Sequence, residues 1–137
     1  MAYWLVKSEP TAWSWKSHAR KGVESWNGVR NFQACNNMKA MTLGDKAFFY
    51  HSVDEKRIVG VLEVVKTYYP DPTDKSGRFG MVDFKALHPL KTPVTLAQVK
   101  TDPRLSHLAL VRQSRLSVTP IDVASWKIIC RLGGIEP

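Results

Sequence analysis

Apolar residues recur along this chain in two rhythms, every second position in some stretches and every third or fourth in others. The first rhythm predicts half-buried strands and the second predicts helices with one buried face. Tyr3 to Ser8 is an aromatic and β-branched run closed by Glu9-Pro10. It predicts a first strand, because the residue before proline is driven to extended geometry. Thr11 to Arg20 reads as a short helix, with Thr11 at its N-cap and Gly22 as its stop. Glu24 to Arg30 contains Trp26-Asn27-Gly28, a turn signal rather than an element. Asn31 is placed to cap a helix running to Met41, along which Ala34, Met38 and Met41 recur at helical spacing.

Gly44-Asp45 then opens a series of strands, Lys46 to Ser52 and Arg57 to Tyr69. The second is apolar on both faces, with Ile58, Leu62 and Val64 on one and Val59, Val61 and Val65 on the other. A strand covered on both sides suits a closed or half-closed barrel packed by helices. Asp71 to Gly77 is a polar loop, and Met81 to Leu87 a strand that turns Val82, Phe84 and Ala86 inward and Asp83 and Lys85 outward. Pro89 to Pro93 is expected to break it. Thr95 to Lys100 and Leu105 to Val111 predict short helical turns, and Arg115 to Val118 a last brief strand. A final helix should start at Thr119-Pro120-Ile121-Asp122, run to about Leu132 and close at Gly133. Thr119 would cap it, Pro120 suits the first helical position and Asp122 opposes the helix dipole. Repeats, linkers and low-complexity tracts are absent, so residues 1–137 read as one α+β domain with a small mixed β-barrel.

Composition narrows the class. At 44% hydrophobic and 23% charged the chain is globular rather than disordered. No apolar run approaches the ~18 residues of a membrane span. The N-terminus carries no basic, apolar leader of the secretory kind. Cys35 and Cys130 lie far apart in sequence, which suits a reducing compartment and leads to the expectation of a cytoplasmic protein. The net charge of +8 changes the picture most. Excess positive charge attracts polyanions through counterion release, and nucleic acid is the commonest of these in a cell. The charge is also clustered: Lys85 to Arg115 holds six Lys and Arg against the single acid Asp102.

Catalytic signatures are missing. The chain has no nucleophile elbow, phosphate loop or dinucleotide fingerprint, and its four histidines and two cysteines lack metal-ligand spacing. His51-Ser52 cannot act as a nucleophilic pair on one strand, because neighbouring side chains point to opposite faces. No metal or cofactor is called for, and the chain reads as a non-enzyme. The aromatics carry more information. Trp4, Trp13, Trp15 and Trp26 fall in the first 26 positions, while Trp126 reads as core filler on the last helix. Trp26 sits in a Gly-containing turn with Arg30 and Asn31 close behind. An indole face, a flexible glycine, a guanidinium and an amide together are what an extruded base requires. The same indole could equally be core, and both readings stay open here.

Several blocks, in order, resemble the EVE domain family. They are Tyr3-Trp4-Leu5-Val6-Lys7-Ser8-Glu9-Pro10, Trp26-Asn27-Gly28-Val29-Arg30-Asn31-Phe32-Gln33-Ala34, Gly44-Asp45, Phe49-Tyr50-His51-Ser52, Ile58-Val59-Gly60, Tyr69-Pro70-Asp71, Met81-Val82-Asp83, Pro93-Val94-Thr95-Leu96 and Arg115-Leu116-Ser117-Val118 followed by Pro120. The resemblance spans nearly the whole chain. It implies a PUA-like fold, related to the ASCH and YTH domains, and a binding site for modified bases of DNA or RNA. Carried over by position, the pocket residues would be Ser8, Trp26, Gly28, Val29, Arg30, Asn31, Tyr50, His51 and Ser52. Lys7, Arg112 and Arg115, with Arg30, would hold phosphates. Two positions depart from the family pattern: Cys35 stands where an arginine is usual, which bears on phosphate grip, and Phe79 where tryptophan is frequent, which would make a cage wall smaller.

The expectation is therefore one nucleotide splayed from its strand, stacked on Trp26 with Tyr50 as a second aromatic candidate, and with Asn31 and Ser8 reading its edge. An added methyl or hydroxymethyl that fills apolar volume would contribute about 1–3 kcal/mol. Two alternatives remain at this stage: an enzyme acting on nucleic acid, and a PUA-like module for a small molecule or a protein.

Overall fold

A computed structural model describes residues 1–137. Six strands form one mixed sheet in the order β2-β5-β4-β3-β1-β6. They are β1 (Tyr3–Ser8), β2 (Val23–Ser25), β3 (Lys46–His51), β4 (Arg57–Pro70), β5 (Gly80–Thr95) and β6 (Val118–Ile121). β1 runs parallel to β3 and antiparallel to β6, while β4, β5 and β2 follow β3 in antiparallel succession. Five helices surround the sheet: α1 (Trp15–Lys21), α2 (Phe32–Lys39), α3 (Leu96–Thr101), α4 (Ala109–Arg112) and α5 (Val123–Leu132). The architecture is the expected α+β, PUA-like one, but the ladder does not close. β2 and β6 remain as its two edges.

Side-chain alternation along the strands divides the interior into two cores. Trp4 and Val6 of β1 and Ala47 and Phe49 of β3 face one side, where α2 supplies Ala34, Cys35 and Met38. Leu5, Phe48 and Tyr50 face the other, under Trp126 and Ile129 of α5. Trp126 is the filler its position predicts, stacked at 3.9 Å on Phe48 and 4.4 Å on Tyr3 between ring centroids.

β4 is apolar on both faces, yet its residues are partitioned differently from strict alternation. Val59, Leu62 and Val64 enter the first core, Ile58 and Val61 the second, and Val65 is exposed. The register against β5 shifts between Ile58 and Gly60 and again between Val61 and Leu62. A bulge adds a residue to one strand and so reverses which face each later side chain meets. Those same irregularities explain why Pro89 and Pro93 fail to end β5. Pro89 lies opposite Gly60 at the first shift, and a proline at a bulge has no ladder N–H to forfeit.

Two helix starts differ from expectation for local reasons. Ser14 rather than Thr11 caps α1, accepting from the Ser17 amide, while Gly22 ends it as predicted with φ of 89°. Asn31 caps α2 as predicted, through the Ala34 amide. At the C-terminal end Thr119, Pro120 and Ile121 belong to β6, and Asp122 caps α5 by accepting from the Ser125 amide. Pro120 is tolerated because β6 is an edge strand. The segment Glu24 to Arg30, read as turn alone, begins with β2, whose three residues pair with Lys85, Phe84 and Asp83.

Candidate functional site

The open seam of the sheet holds a cavity of about 500 Å³. Lys7 and Ser8 at the end of β1 and Ser117 just before β6 line it from one sheet end, and Glu24 and Ser25 of β2 from the other. The Trp26–Arg30 loop and Ala12-Trp13 complete the wall. A site at this place follows from the topology, since strands on either side of an unclosed seam leave space that only side chains and loops can fill.

The loop is held by one buried carboxylate. Asp71 Oδ2 accepts from the Gly28 amide at 2.8 Å and from the Arg30 guanidinium at 3.1 Å, while Oδ1 accepts from the Thr73 amide and hydroxyl. Burial alone would raise the Asp71 carboxyl, but these donors outweigh it and hold the group below the usual carboxylate range. Gly28 has φ of 81°, a left-handed geometry that glycine adopts without strain. The Arg30 guanidinium also donates to Thr73 Oγ1 and lies 5.7 Å from the Phe79 ring centre.

Trp26 serves as core and as wall together. It is 7% exposed and packs edge-on against Phe49 and Phe84, with centroids 5.4 and 5.6 Å away. The remaining rim lines the cavity. Trp13 is the more accessible aromatic there, and a short relay orients it. Its indole N–H donates to His18 Nδ1 at 3.0 Å, and His18 Nε2 lies 2.9 Å from the Phe84 carbonyl. Only an imidazole protonated on Nε2 alone satisfies both partners. Burial lowers the His18 pKa, with the Phe84 hydrogen bond opposing, which favours this neutral ring. The Ser8 hydroxyl donates to the Trp13 carbonyl at 2.6 Å, tying β1 to the same wall.

Of the residues expected in the pocket, the structure brings together Ser8, Trp26, Gly28, Val29 and Arg30, with Lys7 beside them. It places the others elsewhere. Asn31 spends its side chain on the α2 cap and borders a neighbouring shallow groove with Arg112 and Arg115. Tyr50 is buried in the second core, because alternation along β3 turns it away from the cavity face. His51 is engaged behind Trp15, its Nε2 accepting from the Trp15 amide and its Nδ1 meeting Glu55 at 2.9 Å. Ser52 joins the site only through its amide, which donates to the Ser8 carbonyl. Cys35 is buried 3.9 Å from the Val29 carbonyl, under the loop rather than facing solvent, so its position points away from any phosphate. Phe79 is not a cavity wall but a floor for Arg30, against Phe32 at 4.9 Å.

Sequence reasoning left out Trp13, Glu24, Ser25, Ser117 and the anchor Asp71. Asp71 lay within a noted block, Tyr69-Pro70-Asp71, and an acid following a strand offered the signal. No group of three or more His, Cys, Asp or Glu side chains is arranged to hold a metal. No helix is long and apolar enough to cross a membrane.

The EVE domain model matches residues 2–132. The chain belongs to the EVE domain family. Human thymocyte nuclear protein 1 is 31% identical over 175 residues, covering 99% of this chain and 76% of that one. The NMR structure of a protein from Rhodopseudomonas palustris superposes with a TM-score of 0.92 at 56% identity, covering 98% and 94% of the two chains. The human THYN1 protein in complex with DNA containing 5-methylcytosine is similar at a TM-score of 0.87 and 30% identity, over 100% of both chains. An ASCH protein from Zymomonas mobilis, at 12% identity and a TM-score of 0.61, shares the fold.

Proposed function

We propose that this EVE domain is a non-catalytic module that holds one modified base of a nucleic acid, turned out of its strand, in the cavity at the sheet seam. The observation that carries the reading is the cavity itself. Its volume of about 500 Å³ lies within the roughly 300–1,000 Å³ of small-ligand sites. Two indoles, Trp13 and Trp26, stand in its wall. Stacking on an aromatic contributes about 1–3 kcal/mol per base and needs no particular sequence. The DNA carried by human THYN1, with its 5-methylcytosine, supports the same ligand class here.

Phosphates fit outside the cavity rather than in it. The shallow groove with Arg112 and Arg115 lies next to Asn31, one residue beyond the cavity loop. These exposed guanidiniums can hold the flanking backbone while the base is inserted. An added 5-methyl group would gain by occupying apolar volume beside the indoles.

Single-stranded oligonucleotides carrying one 5-methylcytosine, one cytosine or one abasic site, titrated by fluorescence anisotropy, test this. The methylated strand should bind most tightly and the abasic strand least. Raising salt from about 50 to about 200 mM should weaken all three steeply. Equal affinity for the abasic strand would overturn the base-holding reading. A free nucleoside that binds as tightly as the strand would show a small-molecule site instead.

A further inference from the structure

Among the side chains lining the cavity, Glu24 is the single acid, an odd choice in a chain of net charge +8 that is to meet a polyanion. A carboxylate repels phosphate and suits a part of the ligand that donates hydrogen bonds. Its oxygens are fixed. Oε2 accepts from the Lys21 ammonium at 2.6 Å, and Oε1 from the Ser25 amide at 2.8 Å and the Ser25 hydroxyl at 3.3 Å. A carboxylate offers about four acceptor positions, so one on Oε2 stays open. The Lys21 hydrogen bond, ahead of a smaller opposing effect of burial, lowers the Glu24 pKa and keeps the group ionised and acceptor-only near neutrality.

The other charged side chains of the wall are differently committed. Arg30 is drawn to Asp71 and Thr73, away from a ligand. Lys7 donates to the Ser114 carbonyl at 3.0 Å and keeps two of its three N–H donors. Lys7 stands on β1 and Glu24 on β2, at the two ends of the sheet that flank the seam. Glu24 thus offers the cavity an open acceptor, whereas the Lys7 ammonium lies 5.8 Å from the ring of Tyr50, the residue turned to the opposite core.

We infer that Glu24 makes the cavity select a base with an exocyclic amino group, so that cytosine-type bases are taken over thymine- and uracil-type ones. Cytosine presents its exocyclic amino donor to that acceptor. Thymine presents a carbonyl where cytosine has its amino group, and that oxygen would face a carboxylate with no proton between them. Carboxylate acceptance from the cytosine amino group is a known form of base reading, and a good pairing discriminates by about tenfold or more. The inference rests on the base-holding reading of the cavity.

5-Methylcytosine and thymine carry the same ring methyl and differ in the amino or carbonyl edge, so they isolate this effect. Single-stranded oligonucleotides identical but for one 5-methylcytosine, thymine or abasic site are titrated against the protein and its Glu24→Gln variant. The expected result is at least about tenfold tighter binding of 5-methylcytosine than thymine, falling to within about twofold in Glu24→Gln. Glu24 is a partly exposed side chain, and the variant should melt with the wild type. Equal binding of both bases by the wild type, each above the abasic strand, overturns the inference and leaves the base cavity standing. A preference that persists in Glu24→Gln overturns the role of Glu24. Binding of neither base above the abasic strand overturns both readings together.

Discussion

A neutral imidazole at His18 is what both the Trp13 indole and the Phe84 carbonyl require, and protonation would place a second donor against the indole N–H. The pH dependence follows. The folded-state pKa is lowered from 6.5, chiefly by burial. As pH falls through about 6.5 the unfolded chain gains a proton that the folded chain refuses, so stability is lost toward acid until the lower folded value is passed. Urea unfolding between about pH 7 and pH 5 should show this loss. His18→Gln should be less stable by about 1–3 kcal/mol near neutrality, through partners left unpaired, and should lose part of the slope. An unchanged slope would remove His18 from the account. Residues of the site differed in how legible they were. Trp26, Gly28 and Arg30 are neighbours in one turn, so their chemistry shows along the chain. Trp13, Glu24 and Ser117 meet only because distant strands fold around a seam, and no local pattern records that. Tyr50 shows the opposite failure, a residue within a recognised block but turned to the other core by the alternation of β3.

Strand β4 shows what periodicity can and cannot reveal about an element. Its existence and two-sided burial follow from its run of β-branched residues, but its bulges are set by partners. Gly60 marks the first of them. A Cβ there would lie 2.4 Å from the Trp15 ring, so the indole rests directly on the backbone. Gly60→Ala should destabilise the fold by about 1–3 kcal/mol through forced displacement of that ring. Thermal unfolding together with the Trp15 contact to Phe49, now 5.7 Å between centroids, would report it. A wild-type melting temperature would mean the strand yields without cost. The prolines of β5 and the strand character of Thr119-Pro120-Ile121 share one lesson. Proline stops a regular ladder, yet it is admitted at bulges and edges, and those depend on pairing between segments far apart in sequence.

For the whole molecule, the expectation of a barrel was right in class and incomplete in closure. Six strands with helices on both faces bury two cores, while the seam between β2 and the β1–β6 end stays open and supplies the cavity. Composition foretold a basic binder but not where the ligand would sit, since charge on a surface attracts a polymer without placing its base. The proposed function requires the base itself to enter the cavity. Heteronuclear NMR of the labelled protein with a single-stranded oligonucleotide containing one 5-methylcytosine tests this most directly. The indole N–H signals of Trp13 and Trp26 and the Gly28 amide should shift on binding, while the Trp126 indole, buried in the opposite core, stays in place. Shifts confined to Arg112, Arg115 and their neighbours, with the cavity signals unmoved, would contradict the account and leave a surface that holds backbone alone.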